Sequence, residues 1–138
     1  MIASGKPLPR LDGADRPYWE GLREGEIRLQ RCIHCGTHRF PASRWCSACR
    51  QEGAERVAVT PTGTVESFCV FHKGYFPGFD PPYAVVQVKL DCGVRLFSNM
   101  AGAPAPDVRI GERVTAVFER ATPEVTLLKF APLDGVSA

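Results

Sequence analysis

The sequence lacks several features that would assign it at once to a large functional class. It has no apolar run long enough to span a membrane, and residues 1–25 lack the hydrophobic segment of a signal peptide. It contains only three histidines, and no nucleophile elbow, HExxH motif or glycine-rich phosphate loop. The composition, 44% hydrophobic and 23% charged, is that of a globular protein. We therefore expect a cytoplasmic protein with no catalytic site of a familiar kind.

The sequence also has little net charge. Its 17 Lys and Arg residues against 15 Asp and Glu give +2, and residues 57–138 contain seven basic and eight acidic residues. Nucleic-acid binding depends on neutralising phosphates with an excess of Lys and Arg. The charge therefore disfavours a nucleic-acid partner, which stays open only as an alternative.

The strongest pattern that is present consists of four cysteines. Cys32 and Cys35 form one CxxC pair, and Cys46 and Cys49 form another, with ten residues between the pairs. Four thiolates at this spacing suit a structural zinc ion, whose tetrahedral site they fill completely. Two disulfides, or iron in a rubredoxin-like electron carrier, are the alternatives that the spacing leaves open.

The residues around the cysteines add detail to this prediction. Gly36 follows the first pair, where a metal knuckle often needs a positive φ. The histidines inside the module, His34 and His38, are expected at the surface because four cysteines already complete the tetrahedron. Arg39 and Arg44 lie in the same stretch, where arginines either offset the thiolate charge or present a surface for the phosphates of a ligand.

A short amphipathic helix is predicted before the cysteines, from Arg16 to Glu24. Asp15 is a suitable N-cap, and Gly25 is a suitable C′ residue. One helix face carries three large apolar residues, Tyr18, Trp19 and Leu22. This stripe must be buried, either on the ribbon of its own chain or on another subunit, because so short a helix is marginal alone.

The pattern changes to β-strands from Gly63 onward. Five segments are rich in β-branched and aromatic residues and are bounded mostly by Gly, Pro, Asp or Asn: Thr64–Phe71, Tyr83–Leu90, Val94–Met100, Arg113–Glu119 and Val125–Phe130. Five short strands predict a small barrel, for which the OB-fold is the best match. Cys69 and Cys92 have no CxxC partner and are expected to be buried as small apolar residues.

The connection between the first two of these strands, residues 72–82, is unusual for a loop. It contains three prolines, two glycines and three aromatic residues, Tyr75, Phe76 and Phe79. Long loops in compact domains are usually functional. We expect these aromatic side chains to face a ligand or a partner.

The order of motifs resembles a known family. The matching residues are Tyr18-Trp19, Arg31-Cys32-x-x-Cys35-Gly36, Phe40-Pro41, Cys46-x-x-Cys49, Gly63-Thr-Val-x-Ser-Phe68, Pro82-Tyr83, Gly93-Val-Arg-Leu96, Ile110-Gly111 and Phe130-x-Pro132. This order closely resembles the acyl-CoA-associated family that joins a rubredoxin-like zinc ribbon to a C-terminal OB-fold. It predicts a mainly β protein with an extended lead (1–15), a helix plus zinc ribbon (16–60) and an OB-fold domain (61–138).

The resemblance also implies a role. Members of this family are non-catalytic subunits of thiolase-like or ketosynthase-like enzymes, such as thiolases, hydroxymethylglutaryl-CoA synthase and thiolase-type aldolases. By this resemblance, Cys32, Cys35, Cys46 and Cys49 hold structural zinc. Tyr18, Trp19 and Leu22 would dock on the partner, and Tyr75, Phe76 and Phe79 would line the side facing the partner or a coenzyme A thioester.

Overall fold

The computed structural model describes residues 9–13, 15–74, 81–101 and 108–133. One helix, α1 (Arg16–Arg23), precedes eight strands: β1 (Ile27–Cys32), β2 (His38–Arg39), β3 (Ala54–Val59), β4 (Thr62–Phe71), β5 (Tyr83–Leu90), β6 (Arg95–Met100), β7 (Arg113–Arg120) and β8 (Thr126–Pro132). Within the described ranges, no helix has the length and apolar character needed to cross a membrane. The prediction of a mainly β protein with one short helix is confirmed.

Helix α1 begins and ends close to the predicted positions. Pro17 lies in the first turn, and Asp15 occupies the N-cap position without a side-chain capping bond. The Asp15 carboxylate instead accepts a hydrogen bond of 3.0 Å from the indole N–H of Trp19. Gly25 adopts a φ of 78°, as a C′ glycine that ends a helix does.

The first three strands form a small antiparallel sheet in the order β2-β1-β3. Strand β1 pairs with β3 over its whole length, from Ile27 opposite Val59 to Cys32 opposite Ala54. It pairs with β2 only at Gln30 and Arg31. Cys32 is the last residue of β1, so the first CxxC pair lies at one end of this sheet.

The remaining five strands close into a barrel in the order β4-β5-β6-β8-β7. The barrel closes where β7 pairs with β4, and all its pairs are antiparallel except that of β6 with β8. This order is that of the predicted OB-fold. A β-bulge between Val65 and Ser67 shifts the register of β4 against β5.

A single apolar cluster connects the two sheets. It contains residues of α1 and β1 together with residues of the barrel: Tyr18, Leu22, Ile27, Leu29, Val65, Ala84, Val86, Val88, Leu90, Val94, Leu96, Met100, Val108, Val114, Leu128 and Phe130. Helix α1 contacts β1 of the ribbon and β7 and β8 of the barrel. The helix therefore lies at the junction of ribbon and barrel, where burial of apolar surface stabilises both.

Candidate metal centre

The four predicted cysteines lie together at one end of the ribbon. Their sulfur atoms all lie within 4.8 Å of one another. The Sγ atoms of Cys32 and Cys49 are 3.6 Å apart, as are those of Cys35 and Cys46. A zinc–sulfur bond of about 2.3 Å in a tetrahedron places neighbouring sulfurs about 3.8 Å apart. The donor set and its spacing therefore fit a zinc ion with four thiolate ligands.

The two cysteine pairs are built as matching knuckles. The backbone N–H of Gly36 donates to the carbonyl of Cys32 at 3.0 Å, and the N–H of Arg50 donates to the carbonyl of Cys46 at 2.8 Å. Gly36 and Arg50 both have positive φ, 78° and 63°. The first knuckle uses glycine there, as predicted. The second uses arginine, which the sequence pattern did not reveal.

Backbone N–H groups point at the sulfurs and favour their ionised form. The N–H of His34 lies 3.4 Å from Cys32 Sγ, and the N–H of Cys49 lies 3.5 Å from Cys46 Sγ. Hydrogen bonds from the N–H groups of Cys49 and Ala48 lower the pKa of the Cys46 thiol to about 6. Those from Cys35 and His34 lower the pKa of Cys32. Thiolates are the form that binds metal, so this geometry prepares the ligands.

The pKa of the neighbouring Cys49 shifts in the opposite direction. The N–H of Gln51 lowers its pKa, but burial and the adjacent cysteine sulfurs outweigh that effect and raise the pKa to about 12. Four sulfurs this close cannot all ionise without a cation between them. A divalent ion removes that repulsion, and because four ligands fill a tetrahedron, the site is closed to substrate and structural in kind.

Apolar and charged residues crowd the outer surface of the knuckles. The backbones of Trp45 and Glu52 form an isolated antiparallel β-bridge. The Ile33 N–H donates a hydrogen bond to the Gly53 carbonyl at 3.3 Å. Arg44 donates to the Glu52 carboxylate at 2.8 Å, and its guanidinium lies 5.4 Å from the centre of the Trp45 ring. Arg44 is thus exposed but already paired.

Arg39 lies buried in the ribbon. It is 9% exposed, and its guanidinium donates to the Ser43 carbonyl at 2.8 Å and to Gln30 Oε1 at 3.0 Å. Its Nη1 atom has no hydrogen-bond partner among the described residues. Arg39 braces the segment that returns to the second knuckle, and its contact with a ligand or partner stays a prediction.

The aromatic stripe of α1 is packed inside the chain. Tyr18 and Leu22 are buried, and the Tyr18 ring lies 4.8 Å from that of Phe40 and 5.1 Å from that of Trp19. Tyr18 and Leu22 belong to the core cluster that ribbon and barrel share, whereas Trp19 is half-buried. Contact of the stripe with a partner stays a prediction.

The other predicted residues have different outcomes. The aromatic loop residues Tyr75, Phe76 and Phe79 lie outside the described residues, so their role stays a prediction. The prediction that Cys69 is buried is wrong, because its side chain is exposed on β4. Cys92 is half-buried and packs against the core.

Together these features define a four-cysteine zinc ribbon joined to an OB-fold barrel. The rubredoxin-like zinc ribbon domain of ChsH2 matches residues 19–53, and the C-terminal OB-fold domain of ChsH2 matches residues 56–119. The chain belongs to this family, the ChsH2 or DUF35 family. The predicted resemblance is confirmed.

Three similar proteins show the range of the family. The chain is 32% identical to the "Probable enoyl-CoA hydratase alpha subunit" of Thermomonospora curvata over 92% of its own length, but spans only 40% of that relative. It is 32% identical to a "DUF35 domain-containing scaffold protein" of Methanocaldococcus jannaschii, with 74% of each chain covered. A chain of the solved structure "Ltp2-ChsH2(DUF35) aldolase" superposes with a TM-score of 0.81 at 32% identity, over 91% of this chain and 98% of that one.

Proposed function

We propose that this protein is a non-catalytic zinc-binding subunit of an enzyme complex that acts on coenzyme A thioesters. The observation that carries the proposal is the match to the chain from the Ltp2-ChsH2 aldolase, which covers nearly all of both chains. The names of the hydratase subunit and the scaffold protein support the same role, because each describes a component of an assembly.

The described residues support a structural rather than a catalytic contribution. The metal site has four protein ligands and no open position, so it cannot activate water or polarise a carbonyl. Zinc would instead hold the two knuckles together and fix the ribbon on the barrel. We propose a thiolase-like enzyme as the partner, which includes the thiolase, hydroxymethylglutaryl-CoA synthase and thiolase-type aldolase classes, with the coenzyme A thioester as a ligand that the two subunits share.

The test is to purify the tagged full-length protein from its native host under mild conditions and to identify proteins recovered in stoichiometric amounts. The expected result is a thiolase-like enzyme subunit, with one zinc ion per chain of the present protein. Activity of that enzyme on acyl-CoA should then be measured with and without this protein. Recovery of no such enzyme, together with equal activity of the candidate enzyme alone, would contradict the proposal.

A further inference from the structure

A patch on the outer surface of strands β4, β5 and β6 carries no charged side chain, and Lys129 of β8 pairs with Asn99 at its edge. Ser67 of β4 pairs with Gln87 of β5, which pairs in turn with Phe97 of β6. In the next row, Cys69 pairs with Val85, which pairs with Asn99. In the last row, Phe71 pairs with Tyr83. Directly paired residues in an antiparallel sheet project to the same side. These eight residues, which we call the uncharged face, are Ser67, Cys69, Phe71, Tyr83, Val85, Gln87, Phe97 and Asn99.

The aromatic residue Phe97 stands out on this face, with 73% of its side chain exposed to solvent. The Phe71 and Tyr83 rings stack at 5.1 Å at the other end of the face. Surface sheet positions in soluble proteins are usually occupied by polar and charged residues. An uncharged surface with prominent aromatic residues is characteristic of the centre of a protein–protein interface.

Two polar contacts of the face are made within the sheet. Ser67 Oγ and Gln87 Oε1 are 3.1 Å apart, with the hydroxyl as donor, and Asn99 Nδ2 donates to the Ala84 carbonyl at 3.1 Å. A polar group that already has a partner loses less when water is removed from it. These paired groups can therefore be covered at a small desolvation cost.

Charged residues begin at the next rung of the same face. Thr64, Lys89 and Arg95 lie opposite one another there, and Arg95 is paired with Glu66 at 2.6 Å. This arrangement, an uncharged centre beside a charged rim, is typical of interfaces that exclude water from their centre. At the other end, β4 leads into the 72–82 connection, whose aromatic residues were predicted to face a partner.

We propose that the uncharged face is the surface through which this protein docks on its partner enzyme subunit. The inference rests on the proposed function and adds the location of the contact. The surface it fits is an uncharged, largely apolar patch of a partner protein with an acidic residue near Lys89. The barrel is closed, so the partner engages side chains rather than adding a strand to a free edge.

The knuckle surface around the metal is a weaker candidate for this contact. Ile33 and Trp45 are also exposed there, by 60% and 55%. Charged groups are interleaved with them, because Arg44 and Glu52 form an ion pair beside the Trp45 ring. A nucleic acid is also disfavoured as the occupant, because cations lie only at the border of the uncharged face, where Arg95 and Lys129 are paired with glutamates.

The experiment compares two substitutions of equally exposed apolar residues. Phe97→Asp places a charge in the middle of the uncharged face. Ile110→Asp is the matched control, because Ile110 is 70% exposed, lies in the turn before β7 and is not one of the eight residues of that face. Neither side chain belongs to the core, so both variants should retain the melting temperature and zinc content of the unsubstituted protein.

The affinity of each variant is measured for the enzyme subunit that copurifies with the unsubstituted protein. We expect Phe97→Asp to weaken binding by about 30-fold or more, as loss of an interface hot spot does, and Ile110→Asp to leave it unchanged. If a partner is recovered and both variants bind it equally, the docking surface is wrong while the proposed function stands. If no enzyme is recovered, the proposed function itself fails. A change from dimer to monomer in Phe97→Asp, with unchanged partner affinity, would instead assign the face to self-association and overturn the inference.

Discussion

The rings of Tyr18 and Phe40 lie 4.8 Å apart, which joins helix α1 to the segment that returns toward the second knuckle. Tyr18 is part of the core that continues into the barrel, and Phe40 packs against that core. This contact links the helix, the metal module and the OB-fold through two side chains. It also places a titratable phenol in an apolar environment, with a consequence that can be measured.

Tyr18 should make the protein sensitive to alkali. Burial, together with the negative charge of Asp15, raises its pKa from 10.0 to about 12. Between these two pH values the unfolded chain loses the phenol proton while the folded chain keeps it, so stability is complete below pH 10 and falls as pH rises. Two pKa units correspond to about 2–3 kcal/mol. Denaturant unfolding from pH 8 to pH 12 measures the loss.

The variant Tyr18→Phe removes the titrating group and keeps the ring. Over the same pH range, the free energy of unfolding of this variant should fall less than that of the unsubstituted protein. The difference between the two equals the contribution of Tyr18 ionisation. An identical alkaline loss in the variant and the unsubstituted protein would show that Tyr18 does not titrate as its burial predicts.

Removal of one metal ligand should unfold the ribbon. Cys46→Ser leaves three thiolates and a weak fourth donor, and structural zinc sites contribute directly to folding. We expect zinc content to fall from one ion per chain to near zero and the free energy of unfolding to fall by about 5 kcal/mol or more. Metal analysis and thermal unfolding measure the two effects.

The exposed cysteine Cys69 supplies the control for this substitution. Cys69→Ser should keep one zinc ion per chain and the original melting temperature, because Cys69 lies outside the four-sulfur cluster. A colourless protein with zinc would also distinguish the site from the iron site of a rubredoxin. Full zinc content in Cys46→Ser would contradict the assignment of the ligands.

The second knuckle offers a stabilising substitution. Arg50 has a φ of 63°, a conformation that costs a non-glycine residue about 1 kcal/mol. We expect Arg50→Gly to raise the free energy of unfolding by about 0.5–1 kcal/mol, since glycine relieves this strain. Gly36→Ala is the reciprocal change at the matching position and should destabilise the protein by about 1 kcal/mol. If both substitutions changed the free energy of unfolding equally and in the same direction, positions 36 and 50 would not be structurally equivalent.

Gly63 should not tolerate a side chain. A Cβ atom at this position would lie 2.6 Å from the carbonyl oxygen of Lys89 and 2.7 Å from a methyl carbon of Val88. Strand β4 pairs here with both β5 and β7, so the backbone cannot move aside. We expect Gly63→Ala to destabilise the barrel by about 3 kcal/mol, as overpacking does.

Gly93 is the comparison for this effect. It has a φ of 102° but no atom near the position of an added Cβ. Gly93→Ala should therefore cost only the backbone strain, about 1 kcal/mol. Chemical denaturation of both variants separates the steric effect from the conformational one, and equal losses would argue against close packing at Gly63.

Much of the fold could be predicted because its signals are local. The CxxC spacing predicted the sulfur cluster, and β-branched runs bounded by turn residues predicted all five barrel strands. Gly25 and Gly36 have the positive φ values that their positions indicated. Which strands pair with each other does not follow from a local signal. The parallel pairing of β6 with β8, for example, joins segments about 30 residues apart.

The error at Cys69 has a physical cause that a local pattern does not contain. Val65 is buried, and strict alternation would turn Ser67 and Cys69 inward as well. The bulge after Val65 reverses the alternation, so Cys69 faces outward. The burial of Arg39 was likewise not indicated by a local pattern, because it depends on the contact of its guanidinium with the Ser43 carbonyl in the folded segment.

The continuous core between ribbon and barrel has a consequence for the lifetime of the protein in the cell. Leu29 lies in that core, three residues before the metal ligand Cys32, so loss of the ion loosens residues on which the barrel packs. Proteases act on transiently opened chains, and the population of such chains follows the free energy of unfolding. Zinc supply would thereby set the abundance of the folded protein.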